Sequence, residues 1–172
     1  CPLAATGGAK APDKNGNEVT KTNIQDDGDS ILVLSSSTKK INEIDMFEYV
    51  VGAVAAEMPP TYHSQALRAQ AAVCYTYAVK KRSSPDPALD GADITDDSAV
   101  HQGYLDAAAR KEKWGDKYET YEKKIEEAVK DVFGKTITYD GEIITAAFHA
   151  ISCGQTFSAE EVWGKDVPYL KS

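Results

Sequence analysis

Cysteine is scarce in this chain: Cys1, Cys74 and Cys153 are an odd number with no CxxC pair, so neither a disulfide framework nor a zinc ladder is indicated. Positive charge is short as well. Nineteen Lys and Arg face 27 Asp and Glu, a formal net charge of -8, and the basic residues are scattered among acidic ones. No continuous basic surface is available to release counterions from a nucleic acid, which excludes DNA and RNA as partners. No apolar run approaches the roughly 20 residues that span a bilayer. Any membrane anchor is therefore expected outside this chain. Repeats at solenoid periods are absent, leaving one domain as the default for this length. The acidic run of Asp90, Asp93, Asp96 and Asp97 lacks EF-hand spacing and reads as a solvated loop.

What is present divides at about residue 30. Residues 1–29, rich in Gly, Lys, Asn and Asp without periodicity, read as a flexible leader, and residues 30–172 as the globular domain. Cys1 fits the mature end of a lipoprotein or a clipped signal equally. The abrupt end after 167–172 fits a domain that is incomplete at its carboxyl terminus. Residues 31–34 have strand character. From Asp45 the chain turns helical, with Asp45 and Glu48 as a capping box and Phe47, Val50, Val51, Val54, Ala55 and Met58 on one apolar stripe. Pro59 and Pro60 stop that helix. A second runs from about 61–64 to Arg82 on the core line Leu67, Ala71, Cys74 and Ala78, with Ala66, Val73 and Tyr77 widening it.

The polar segment 83–97 reads as a surface loop. Residues 105–131 predict two helices, interrupted at Trp114-Gly115-Asp116. Asp140-Gly141 predicts a type I′ hairpin between 136–139 and 142–149. Ser158 with Glu161 predicts a further capping box for a short helix that closes at Trp163-Gly164. Local helices mixed with a few strands predict an α+β fold, helices packed on a small, mostly antiparallel sheet.

One carboxylate stands where packing does not ask for it. Glu57, in the last turn before the prolines, borders the apolar stripe and sits at the negative end of the helix dipole; both disfavour its charge, as a general acid requires. Its alternative is a helix-terminal acid that simply reaches solvent. Gln70 lies beside the core line, where its amide needs partners and is able to orient a carboxylate or a hydroxyl. Arg68 and Tyr75 share another side of the same helix, offering a cation and a phenol to one ligand, or else a surface Arg packed along a ring. His149, Ser152, Cys153 and Thr156 cluster after the hairpin. A Cys/His nucleophilic pair there is disfavoured, because side chains four apart on an extended strand are beyond hydrogen-bond reach. Metal binding by His101, His149 and a cysteine depends wholly on three-dimensional proximity.

The run Glu48-Tyr49-Val50-Val51-Gly52-Ala53-Val54-Ala55-Ala56-Glu57-Met58-Pro59, with Ala66-Leu67-Arg68-Ala69-Gln70-Ala71 and Thr76-Tyr77-Ala78, resembles the stage II sporulation protein D (SpoIID) family, which includes the amidase-enhancer proteins. His101-Gln102-Gly103-Tyr104, Ser152-Cys153-Gly154-Gln155-Thr156, Val162-Trp163-Gly164 and Val167-Pro168-Tyr169-Leu170 follow in the same order. The resemblance implies a lytic transglycosylase acting on bacterial peptidoglycan glycan strands already stripped of stem peptides. It also implies an extracytoplasmic place at the membrane's outer face or septum during engulfment, beside a cell-wall amidase and a membrane scaffold. Glu57 is the implied catalytic residue. Arg68, Gln70, Tyr75, Ser152 and Tyr169 are the expected substrate-binding residues, and no cofactor is expected. Two departures stand out. Tyr75 replaces a common Arg and Gln65 a usual Glu. Thr95, Val100 and His101 stand where some members have Cys and His, so no metal site is expected. The rival readings are a non-catalytic glycan-binding enhancer of an amidase and, more distantly, a redox or metal protein built on Cys74, His149 and Cys153.

Overall fold

Residues 46–57 carry apolar or small side chains on nearly every side, and such a helix is stable only when surrounded. The computed structural model describes residues 30–149 and 152–172; the leader expected at 1–29, with Cys1, lies outside the described residues. Strand β1 (Ser30–Leu34) and β2 (Ile41–Asp45) lead into α1 (Met46–Glu57), which is followed by α2 (Ser64–Ser83), β3 (Ile94–Thr95), α3 (Ala107–Trp114) and α4 (Tyr118–Lys130). The hairpin β4 (Thr138–Tyr139) and β5 (Glu142–Ile143) and the short α5 (Ala159–Trp163) complete a single α+β domain.

Helix α1 is the hub. Met46, Tyr49, Val50, Val51, Gly52, Ala53, Val54 and Ala55 are all buried, and α2, α3, α4 and the first sheet each touch it. The expected single apolar stripe is in fact a helix enclosed on most sides. Leu67, Ala71, Cys74 and Ala78 of α2 close the core, as their spacing predicts, together with Ile125, Ala128 and Val129 of α4.

The first sheet has the order β2-β1-β3, antiparallel between β1 and β2 and parallel between β1 and β3. Two of its strands correct the sequence reading. β2 ends on Asp45, where the sequence predicts only a helix start; its burial pattern is almost wholly exposed, so hydrophobicity carries no strand signal. β3 lies inside the segment read as a surface loop. Its Ile94 and Thr95 are buried, and the acids around it cap backbone: Asp93 accepts from the Leu32 amide at 2.9 Å and Asp96 from the Ser36 amide at 2.6 Å. The hairpin has shorter strands than expected, the Ile144 amide adding a cross-hairpin bond to the Ile137 carbonyl at 3.1 Å beyond them. Its turn is as predicted, with positive φ at Asp140 (49°) and Gly141 (83°).

Asp45 caps α1 through the Glu48 amide at 2.9 Å, yet the capping box is not reciprocated. Glu48 instead reaches Arg110, which is 0% exposed on α3. Arg110 forks onto Glu122 of α4 at 2.5 to 3.1 Å, meets Glu48 at 2.7 Å and donates to the Leu105 carbonyl at 2.7 Å. Burial alone would disfavour the guanidinium's charge, and the bonds from Glu122 and Glu48 outweigh it, leaving the group more basic than usual. At Ser158 and Glu161 both halves of the box form.

Removing Arg110 would leave Glu122, with an 11% exposed side chain, without its partner. Arg110→Ala is expected to cost about 3 to 5 kcal/mol in urea unfolding. Arg68→Ala, at the half-exposed Arg68–Asp131 pair, should cost about 1 kcal/mol or less.

Candidate functional site

His101-Gln102-Gly103-Tyr104 lies along the carboxyl half of α1, each residue held by a different contact. The Thr95 amide of β3 donates to His101 Nδ1 at 3.1 Å, which places the ring proton on Nε2. Gln102 Nε2 donates to Tyr49 Oη at 3.0 Å and to the Cys74 carbonyl at 3.4 Å, while its buried Oε1 has no hydrogen-bond partner among the described residues. Tyr104 stacks on Tyr49, centroids 5.4 Å apart and planes 12° off parallel. Leu105 then donates its amide to the Gly52 carbonyl at 3.2 Å.

So close an approach depends on Gly52: a Cβ there would collide with the Tyr104 ring and the Leu105 carbonyl oxygen. The reward is at Gly103, whose amide donates to Glu57 Oε1 at 2.8 Å. Glu57 is thus held by the last turn of its own helix and by this one backbone donor. The turn beneath it is pinned by Lys124, which donates to the carbonyls of Pro60 (2.8 Å) and Tyr62 (2.6 Å). Glu57 Oε2 takes no hydrogen bond from a described residue.

Glu57 lines a cavity of about 310 Å³ with Tyr77, Ser98, His101, Gln102 and Phe148. Two neighbouring depressions, of about 410 and 240 Å³, carry Lys80, Lys81 and Trp163 in the first and His149, Phe157, Trp163 and Tyr169 in the second. Ala147 belongs to all three, so they meet along the extended segment 145–148. Phe157 (76% exposed) and Trp163 (54%) leave broad ring faces open to a ligand.

Among the residues expected from sequence, Glu57 alone lines the first cavity. Tyr169 borders the 240 Å³ depression, and its Oη accepts from the Thr145 amide at 2.9 Å, bracing the shared segment. Arg68 is bound to Asp131 at the end of α4, Nε to Oδ2 2.6 Å. Gln70 is buried, donating to Cys74 Sγ at 3.4 Å. Tyr75 is 1% exposed and packs on Phe133 at 5.0 Å, which leaves its ring no face toward the groove. The exposed Ser152 lines none of the three depressions.

The expected pairing of Arg68 with Tyr75 on one ligand does not occur here, because the two side chains pack against different parts of the fold. Sequence reasoning quoted Gln102 and Gly103 only within a motif of the resemblance and gave them no role, did not single out Phe148, and assigned Tyr77 to the buried side of α2. The compact His-Gln-Gly-Tyr run after an acidic loop was the available signal.

Cys74 is sealed in the core. Burial pushes its thiol up to about 12, with the nearby Glu57 charge adding and the Gln70 bond opposing. That removes it as a nucleophile, and Cys153 and His149 lie exposed elsewhere. At the positions where the family resemblance suggests a metal, His101 supplies one imidazole, its Nδ1 engaged by an amide, beside Thr95 and Val100. This set does not fit zinc.

Fold and groove describe a single α+β domain with a carboxylate at the end of its central helix. The stage II sporulation protein family model matches residues 35–139, a span holding α1 with Glu57, α2 and the 101–104 segment. Stage II sporulation protein D of Bacillus subtilis (strain 168) is 39% identical over 145 residues, 83% of this chain and 42% of that protein. The Bacillus amyloliquefaciens protein of the same name is 37% identical over the same shares, and the amidase enhancer of Bacillus subtilis (strain 168) is 31% identical over 69% of this chain and 14% of its own. The chain belongs to the stage II sporulation protein D family and spans about two fifths of the length of those sporulation proteins.

Two expectations follow from the 101–104 segment. Gly52→Ala should lower stability by about 1 to 3 kcal/mol in urea unfolding, and hydrogen exchange should show the Gly103 amide losing protection as the segment is pushed off α1. His101 is held below its ordinary 6.5, by burial first and by Lys81 next, with Asp86 opposing. Its contribution is therefore complete above pH 6.5, and falls as pH drops through 6.5 toward the lower folded value, where the unfolded chain binds a proton the folded one refuses. Unfolding free energies at about pH 7.5 and about pH 5.5 should show a smaller acid loss in His101→Gln than in the unaltered protein.

Proposed function

We propose that this chain is a glycan-cleaving domain, a lytic transglycosylase in which Glu57 serves in turn as acid and base. The observation that carries the reading is a lone carboxylate: among the described residues Glu57 is the only acid lining its cavity, with one oxygen oriented by the Gly103 amide and the other taking no hydrogen bond from them. Hydrolytic glycosidases ordinarily need two carboxyl groups, one to protonate the leaving oxygen and one to attack C1 or activate water. A single acid suffices when the nucleophile belongs to the substrate. Protonated Glu57 gives its proton to the glycosidic oxygen as the bond to C1 breaks. The resulting carboxylate takes the proton from the C6 hydroxyl of N-acetylmuramic acid as that oxygen bonds C1. The product is a 1,6-anhydromuramyl end, and Glu57 is again protonated.

Tyr77, His101 and Gln102 supply polar groups around the sugar, and the adjoining depressions offer Phe157 and Trp163 as stacking faces for further units of a polymer. Peptide-stripped peptidoglycan strands are the proposed substrate, in an extracytoplasmic setting beside a cell-wall amidase and a membrane scaffold. The relative named amidase enhancer favours one alternative, a non-catalytic enhancer of a cell-wall amidase that would bind glycan without cutting it.

Incubating the protein and its Glu57→Gln variant with amidase-treated glycan separates the two by mass spectrometry of the ends. Anhydro ends from the unaltered protein, reduced at least about 100-fold in the variant, are expected. Binding by both with no product would leave the enhancer reading; equal product from both would remove Glu57 from the chemistry.

A further inference from the structure

We propose that the 410 Å³ depression beside the Glu57 cavity is a subsite for the lactyl carboxylate of a muramic acid unit, with Lys80 and Lys81 as its cationic wall. The inference rests on the glycan reading above and specifies which part of the strand is recognised. In a chain of net charge -8, the described residues line this depression with two ammonium groups and no carboxylate. Both lysines belong to the last turn of α2, where the helix dipole already favours cations. What makes them more than a dipole complement is their availability. Neither is ion-paired with a described residue, as holds for most described lysines, but these two stand together at one depression. Lys81 Nζ lies 5.6 Å from the centroid of the Tyr77 ring, a face that holds the ammonium without neutralising it.

Tyr77 also lines the Glu57 cavity, so the cationic wall and the carboxylate lie on the two sides of one aromatic side chain. Trp163 offers the sugar a flat face and Ser84 a hydroxyl donor. The lactyl group is the anionic substituent of a peptide-free strand. While a stem peptide is attached its carboxyl is an uncharged amide, and removal of the peptide exposes a carboxylate able to take charge-assisted hydrogen bonds from both lysines. The depression thus reads whether a strand has been stripped.

The test is binding of peptide-stripped strands, native or with carboxyls amidated by carbodiimide and ammonia, in a Glu57→Gln background so that no strand is consumed. Protein with both lysines should prefer native strands by about fivefold. The preference should vanish in Lys80→Gln/Lys81→Gln, which binds both forms like the amidated one, and persist in Lys80→Arg/Lys81→Arg, the control for folding and charge. Equal binding of native and amidated strands with the lysines intact, or an unchanged preference in the Gln pair, overturns the subsite and leaves glycan binding standing. Failure to bind either form sinks the glycan reading and the subsite together.

Discussion

Without a side chain at Gly52, the backbone of Tyr104 and Leu105 lies directly on α1, and the placement of the groove's central residues follows from that contact. The Leu105 amide meets the Gly52 carbonyl, Tyr104 stacks on Tyr49, and two residues back Gly103 points its amide at Glu57. Arg110 holds the other side, taking the Leu105 carbonyl while it ties the start of α1 to α4 through Glu48 and Glu122. One buried cation therefore secures both the packing of three helices and the loop that orients the acid. A helix terminus is ordinarily frayed and solvated; here the loop stiffens it.

The chemistry open to such a site is narrow. On the proposed reading, the one carboxylate that the described residues bring to the cavity serves a reaction whose nucleophile arrives on the substrate, and the Cys74 thiol is buried and held in its neutral form. Imidazole is present as well. Its Nδ1 is committed to the Thr95 amide, which leaves His101 a hydrogen-bond donor through Nε2 and makes it a poor ligand for a metal. Around this core the segment 145–148, braced by Tyr169, borders all three depressions.

Much of the architecture was legible because it is local. The stripe of α2, the break at Trp114-Gly115-Asp116, the Asp140-Gly141 turn and the Ser158/Glu161 box each depend on neighbours within a few residues, and all four are found. Strands β2 and β3 were not legible. One is exposed and the other has two residues; each exists because β1 offers unpaired backbone on both edges, a fact about a partner far along the chain. The same limit applied to the site. Glu57 announced itself by standing at the end of an apolar helix. Gln102, Gly103, Tyr77 and Phe148 are ordinary until the chain folds them around it.

By itself the sequence determined that α1 is a helix with one broad apolar stripe ending in an acid, since Asp45 opens it and two prolines forbid another turn; its enclosure on most sides came from the tertiary structure. Tertiary structure decided which groups meet that acid. It turned Arg68 toward Asp131, buried Tyr75 against Phe133 and brought Tyr77 and the 101–104 segment to the cavity instead. Helical periodicity says which residues share a side of a helix. Which side faces the core and which faces a groove is set by what packs there, and those partners come from segments tens of residues away.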